Sequence, residues 1–394
     1  MPLAEAGGRI LAEPVHSDVD LPPFEKSAMD GFAVRSADFG DSVGSSGGEV
    51  QLRRVGESRA GEPFASGTFE GGRAGDAPGP GSCVEIYTGA ELPAACDAVV
   101  MVERTRREGE QVWLQGPVSP GQNVNHRGEV LAVGRRVFEA GRRISAVDLA
   151  VLAAVGCDPV PAARRPRVSI LTTGDELVRA RERPGPGQIR EGNTLYLAAA
   201  AAALGMEVRE VGIVGDDPAE LETAFGRALE EGDALVTTGG VSMGRYDLVG
   251  PALEKLGVAP VLHKVAIKPG KPIWFGLRGS RPVFGLPGNP VSSLLGFEVF
   301  VRPSLLRLAG AAPGESAERI RRGRWTGGPT RPGDRQQNLP CSLRQGEDAV
   351  AELAPLDWMG SADIVALTAA QAFAVVEPGD VLEPGQLVDY RPLG

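Results

Sequence analysis

From Pro166 onward, short buried apolar runs alternate with helical stretches, and that alternation leaves few folds open. RVSIL (167–171), EVREV (207–211), ALVTT (234–238) and PVFGL (282–286) read as strands. NTLYLAAAAAALG, the stretch from Pro218 to Glu230, DLVGPALEKLG and NPVSSLLGFEVF read as helices. Gly205 stops the first helix. Asp217, Pro218 and Glu220 supply an N-cap, a proline at N1 and a capping-box partner for the second. Strands joined through helices fold by right-handed crossovers into a parallel sheet covered on both faces. The spacing therefore predicts an α/β domain over residues 164–312.

The flanks read differently. Before residue 130, apolar runs such as CVEIYTG and DAVVMVE alternate with turn signals, as in a β-rich domain. A helix is expected near 146–155, with Ser145 and Asp148 as a capping box and Gly156 at its end. Past residue 312 the helical period fades, and AFAVVE and QLVDY between Gly/Pro turns predict a small β domain at 313–394. The 54 glycines and 32 prolines are spread along the chain, so they mark many turns; residues 73–82 and 181–188 read as flexible loops.

Charge and composition exclude several functions. A net charge of −10 argues against nucleic-acid binding, because phosphate backbones select basic surfaces. The longest apolar run, Leu197–Leu204, is far too short for a membrane span, and the N-terminus lacks a signal-peptide pattern; a cytoplasmic protein is expected. Cys83, Cys96, Cys157 and Cys341 show no metal-ligand spacing and read as reduced, mostly packed thiols. With three histidines, any catalysis falls to carboxylates, lysines and backbone amides.

Ligands of open parallel sheets sit beyond the carboxyl ends of the strands. Three such ends carry glycine-rich polar turns: TTGDE (172–176), TTGGVSMGRYD (237–247) and GLPGNP (285–290). Each alone reads equally as an ordinary strand-to-helix turn; together they indicate a binding crevice. Asn289 and Pro290 begin a helix with Ser292 and Ser293 in its first turn, a start that offers free N–H groups to an anion. Asp175, Glu176, Asp216, Asp217 and Asp247 fall near strand ends, as do Lys268 and Lys271 in IKPGKP. Asp217 reads best as a helix cap. An anion among the remaining carboxylates requires a divalent cation, and hard oxygen donors suit Mg²⁺.

Two motifs are set aside. Residues 240–244 match the GxSxG nucleophile elbow around Ser242, but only His263 follows as a partner. Lys271 is followed by proline, where a P-loop requires serine or threonine. Asp30 in LPPFEKSAMDGFAV (21–34) reads on its own as a turn aspartate.

That segment, with EIYTGAELPAACDAVVMVE (85–103), GQNVNHRGE (121–129), TTGDEL, GDDP, TTGGVSMGRYD, IKPGKP and GLPGNPVS, resembles the MoeA/gephyrin E-domain family collinearly over residues 9–310. The resemblance implies a multidomain α/β and β fold: a linking domain (1–16 plus 131–163), a β-rich domain (17–130), a molybdopterin-binding-like α/β domain (164–312) and a C-terminal β-barrel-like domain (313–394). It implies a homodimer that inserts molybdate into adenylated molybdopterin with Mg²⁺, releasing AMP, with a molybdopterin adenylyltransferase as a further partner. Asp30, Thr88, Glu176 and Asp247 become the catalytic residues it implies, and Glu176, Asp216 and Asp247 the metal ligands. Gly174, Asp175, Asp216, Gly239, Gly240, Ser242, Lys268, Lys271, Pro287, Gly288, Asn289, Pro290 and Ser292 become the binding residues. Molybdate and tungstate are alike in size and charge.

The chain departs from the family pattern at Val130, where an aspartate is expected, and in the tail. There, Pro340 and Val365 or Ala366 fall where an arginine and a serine are expected, with Arg335 and Ser361 nearby. These departures motivate a second reading, a non-catalytic molybdopterin-binding or storage paralogue. The α/β domain alone also suits a molybdopterin adenylyltransferase.

Overall fold

The computed structural model describes residues 1–40, 48–62, 64, 77–241, 248–317 and 319–393 of the 394-residue chain. It divides into two compact units. Met1–Glu5, Pro14–Glu139 and Ala146–Val160 form the first, and Ala6–Glu13, Ala140–Ser145 and Pro161–Gly394 the second.

The first unit is built on six strands: β1 (Gly31–Val34), β2 (Glu49–Ser58), β3 (Ser82–Ile86), β4 (Ala98–Met101), β5 (Thr105–Glu108) and β6 (Gln111–Gln115). They pair in the order β4-β1-β3-β2-β6-β5, and only β2 and β3 run parallel. Successive side chains point to opposite faces of a strand. Phe32, Val34, Cys83 and Val100 join one apolar cluster, and Ala33, Val84 and Val99 join another. Burial on both faces explains why GFAV and AVVM are unbroken apolar runs rather than alternating ones. Gly31 admits no side chain, because a Cβ there would run into the Val100 carbonyl. Helix α1 (Ala146–Ala154) starts directly after Ser145, carries the buried Asp148 in its first turn, and is followed by Gly156 at φ 72°.

In the second unit, β7 (Arg167–Thr173), α2 (Asn193–Ala203), β8 (Glu207–Val214), α3 (Pro218–Glu231), β9 (Ala234–Thr238), α4 (Val249–Lys255), β10 (Ala259–His263), β11 (Trp274–Arg278), β12 (Arg281–Leu286) and α5 (Pro290–Gly296) follow one another. The helical path of α5 continues through a π turn, Phe297–Val301, into α6 (Arg302–Leu308). The sheet order is β8-β7-β9-β12-β11-β10. Its first four strands are parallel, as the sequence implies. The sheet as a whole is mixed, because β11 adds antiparallel to β12 and the edge strand β10 adds antiparallel to β11, where a wholly parallel sheet was expected. The cause is visible in the pattern: four of the five residues of β10 are exposed, so no buried apolar run announced it.

Helices cover both faces of this sheet. Val168, Ile170, Val236 and Phe284 pack with Leu197 of α2 and Leu295 of α5. Leu171, Leu235 and Val283 pack with Leu221 and Phe225 of α3 and Leu253 of α4. Asp217 caps α3 as expected: its Oδ1 accepts from the N–H groups of Ala219 (2.9 Å) and Glu220 (3.0 Å).

The tail forms β13 (Arg321–Trp325), β14 (Gln336–Gln345), β15 (Ala351–Pro355), β16 (Ala372–Val376) and β17 (Leu387–Pro392). Pairing runs β14-β15-β13-β17-β16 and back to β14, so the five strands close on themselves around Trp325, Cys341, Leu353, Ala374 and Tyr390. Ile267–Lys268, from the loop between β10 and β11, pairs parallel with Gln336 and Gln337 of β14. Among the described residues, no helix is long and apolar enough to cross a membrane.

Candidate active site

A cavity of about 540 Å³ opens at the carboxyl ends of β7, β8, β9 and β12 in the second unit. Its floor is made by the three glycine turns: Thr172, Thr173 and Gly174 after β7, Gly239 and Gly240 after β9, and Gly288, Asn289 and Pro290 after β12. Glu176 and Asp216 line it together, as do Glu191, Gly192 and Asn193 at the start of α2. Leu177, Ile189, Ala362 and Ile364 supply an apolar lip, the last two from the loop between β15 and β16.

Glycine at two of these positions is a geometric requirement. Gly174 sits at φ 148°, and a Cβ there would stand 2.5 Å from Glu176 Oε2, so the carboxylate occupies space that a side chain would fill. Gly239, at φ 92°, would direct a Cβ into the Thr173 carbonyl.

Hydrogen bonds fix the floor. The Asn193 amide donates to Gly288 O (2.7 Å) and Thr238 Oγ1 (3.1 Å), and Thr238 Oγ1 donates to Pro287 O (3.1 Å). Thr172 Oγ1 donates to Thr238 O (3.1 Å), and the Asp216 N–H donates to Asp175 Oδ1 (2.9 Å), joining the turns after β7 and β8. Asn289 precedes Pro290 at the N-cap of α5, but its side chain does not cap the helix; the amide donates to Ser361 Oγ (2.9 Å). The Val291 N–H is likewise donated to Ser361 O (3.0 Å). The loop after β15 thus consumes a donor that the sequence offered to an anion.

Among the described residues, the lining carries three carboxylates, Glu176, Glu191 and Asp216, against one guanidinium, Arg190. Glu191 caps α2 by accepting from the Thr194 N–H (2.7 Å), and Arg190 Nε donates to Glu182 O (3.0 Å). A phosphate entering this field requires a cation. Among the described residues, no three His, Cys, Asp or Glu side chains form a ready metal cluster. Two carboxylates in one cavity nevertheless fit Mg²⁺, which is commonly held by one or two protein carboxylates plus substrate phosphates and water.

Other residues singled out by sequence fall elsewhere. Lys268 and Lys271 are exposed and do not line the cavity. Their loop packs behind the start of α5, where a Cβ on Gly270 would lie 3.6 Å from Ser292 O. Ser292 and Pro287 are buried beside the floor. Ser242 and Asp247 lie outside the described residues. Asp30 and Thr88 belong to the first unit, where the Thr88 N–H and Oγ1 both donate to Asp30 Oδ1 at 2.7 Å. These two bonds hold the Asp30 carboxyl below its ordinary pKa, the backbone bond contributing most.

Residues 1–156 match the MoeA N-terminal region (domain I and II), and residues 169–307 match the probable molybdopterin binding domain. Molybdopterin molybdenumtransferase from Nostoc sp. is 38% identical over 313 residues, 78% of this chain and 69% of its own length. The enzyme of the same name from Haemophilus influenzae is 38% identical over 309 residues, 78% of this chain and 72% of its own. The chain belongs to the molybdopterin molybdenumtransferase family. It is a transferase of molybdenum cofactor biosynthesis, and the adenylyltransferase and storage readings give way to that one. Two crystal structures of the molybdopterin biosynthesis MoeA protein from Pyrococcus horikoshii match the entire chain and 93% and 94% of their own. Their TM-scores are 0.82 and 0.80, at 32% and 27% identity.

The divergent tail of this transferase-family chain therefore retains the family fold. Pro340 is buried in β14, Arg335 donates to Ile267 O (3.2 Å), and Val365 and Val130 are 73% and 75% exposed, so none of the four lines the cavity. Sequence reasoning missed Asn193, Thr173 as a separate group, and the lip residues Ile189 and Ile364. Asn193 reaches the floor from a helix start rather than a strand end, and Ile364 from a distant loop. A polar residue opening an alanine-rich helix was the one signal available for Asn193.

Proposed function

We propose that this transferase inserts molybdate into adenylated molybdopterin in a Mg²⁺-dependent reaction that releases AMP. The observation that carries the reading is the placement of Glu176 and Asp216 in one cavity floored by three glycine turns. The two carboxylates would hold the cation, with Asp247, outside the described residues, as the third ligand of the proposal. The cation supplies charge neutralisation at the phosphates. The glycine turns admit the ligand's phosphates close to the backbone, Asn193 holds the floor rigid, and Leu177, Ile189 and Ile364 give an apolar surface to a flat ring. Asp30 and Thr88 act as catalytic residues, and Lys268 and Lys271 draw molybdate by charge. The working protein is a cytoplasmic homodimer of four-domain chains with the boundaries given above, supplied by a molybdopterin adenylyltransferase.

The test is AMP release from adenylated molybdopterin with molybdate and Mg²⁺. Glu176→Ala is expected to slow release by about 100-fold or more, since a charge-neutralising metal is worth several kcal/mol and each 1.36 kcal/mol is tenfold in rate. Release at the wild-type rate by that variant would remove Glu176 from the reaction.

A further inference from the structure

We infer that the Thr173 hydroxyl contacts the ligand, donating a hydrogen bond to an anionic phosphate oxygen at the nucleotide end of the substrate. The inference rests on the proposed reaction at this cavity and names the group that receives its phosphate.

Thr173 ends β7, is 3% exposed and lines the cavity. Among the described residues, its Oγ1 is buried without a hydrogen-bond partner. The neighbouring side chains of the floor are engaged: Thr172 donates to Thr238 O, Thr238 donates to Pro287 O, and Asn193 donates to Thr238 and Gly288. The Thr237 hydroxyl also lacks a partner among the described residues, but Thr237 does not line the cavity. A buried hydroxyl without a partner is costly, and native structures keep few of them.

Two glycines stand against this hydroxyl. Cβ atoms on Gly239 and Gly240 would stand 3.1 and 3.0 Å from Thr173 Oγ1, so any other residue at either position would cover it. Their φ values of 92° and 61° reserve both positions for glycine. The arrangement leaves a neutral donor on the floor of a cavity whose ionisable groups, among the described residues, are chiefly carboxylates. A hydroxyl can approach phosphate there without the repulsion a carboxylate meets, and it donates because an ionised phosphate oxygen only accepts.

Isothermal calorimetry on the full chain with Mg²⁺, using AMP and adenosine as probes, tests this. Thr173→Val replaces the hydroxyl by a methyl group of similar size. It is expected to weaken AMP binding about tenfold or more, the loss typical of a hydrogen bond to a charged group, and to change adenosine binding by less than about twofold. Thr173→Ser keeps the hydroxyl and is expected to stay within about threefold of wild type for AMP. Since the hydroxyl has no partner among the described residues, the valine variant should melt at the wild-type temperature or above it. Unchanged AMP binding by Thr173→Val overturns the inference, as does an equal fall for AMP and adenosine, a lowered melting temperature, or a serine variant as weak as the valine one. A wild-type protein that binds no AMP overturns the reaction proposed for the cavity, and this inference with it.

Discussion

The Asn193 side-chain amide lies 2.7 Å from the Gly288 carbonyl and 3.1 Å from Thr238 Oγ1, so one residue at the head of α2 ties together the turns that follow β9 and β12. Asn193→Ala leaves a buried acceptor unmatched and is expected to destabilise the fold by about 1–3 kcal/mol. Urea unfolding checks this, and AMP release should fall with it because the floor loses its brace.

The bond between Asn289 and Ser361 makes a contrasting case. Both residues are partly solvated, so Ser361→Ala should cost less than about 1 kcal/mol in stability. Ala362 and Ile364, next to Ser361, line the cavity. The expected outcome is a several-fold rise in KM with a near-normal melting temperature; an unchanged KM would show that the loop after β15 takes no part in binding.

Gly240→Ala should fail on two counts. The residue sits at φ 61°, where a side chain costs roughly 1–2 kcal/mol, and its Cβ would meet Val249 Cγ2 at 2.7 Å. A loss of about 2 kcal/mol or more in denaturant unfolding is expected, together with loss of AMP binding.

Acid stability should report Asp233. Its carboxylate is gripped by Arg164 at 2.6 and 2.9 Å, and by the Arg167 N–H at 2.8 Å. The Arg164 bond, above all, lowers its pKa from 3.8 to about 2. The folded state binds the proton less tightly than the unfolded state, so the contribution is full above about pH 4 and disappears as pH falls through 2. Arg164 is 70% exposed, and solvent screening holds the stake below about 1 kcal/mol. Arg164→Ala should melt below wild type at pH 7, and the two curves should converge by pH 2.

Thiol labelling should be selective. Burial pushes the thiols of Cys83, Cys96 and Cys341 up to about 12, whereas Cys157 is only half-buried. Iodoacetamide at pH 8 is expected to modify Cys157 in the native protein and the other three only after unfolding, as read by mass spectrometry.

The residues most legible in the sequence were those whose roles are local. Asp217 as a cap, Gly156 after α1 and the glycine turns at strand ends each answer to backbone geometry within a few residues. Three of the four parallel strands, β7, β9 and β12, were legible because burial on both faces makes near-continuous apolar runs. β10 was not, since four of its five residues are exposed and one is a proline. Within the site, Glu176 and Asp216 were found because they follow strands, whereas Asn193 and Ile364 arrive through tertiary packing that no local pattern encodes. Asn289 shows the reverse case: its position announced a cap, and Ser361, 72 residues later, took its amide instead.

The two-residue pairing of Ile267–Lys268 with Gln336–Gln337 means that the barrel borrows backbone from the α/β domain. Severing the chain near residue 312 would strip both fragments of a shared seam: one would keep a dangling ribbon, the other a raw margin. The tail is therefore not a detachable cartridge. Transplanting it between relatives should succeed only when the loop between β10 and β11 travels along.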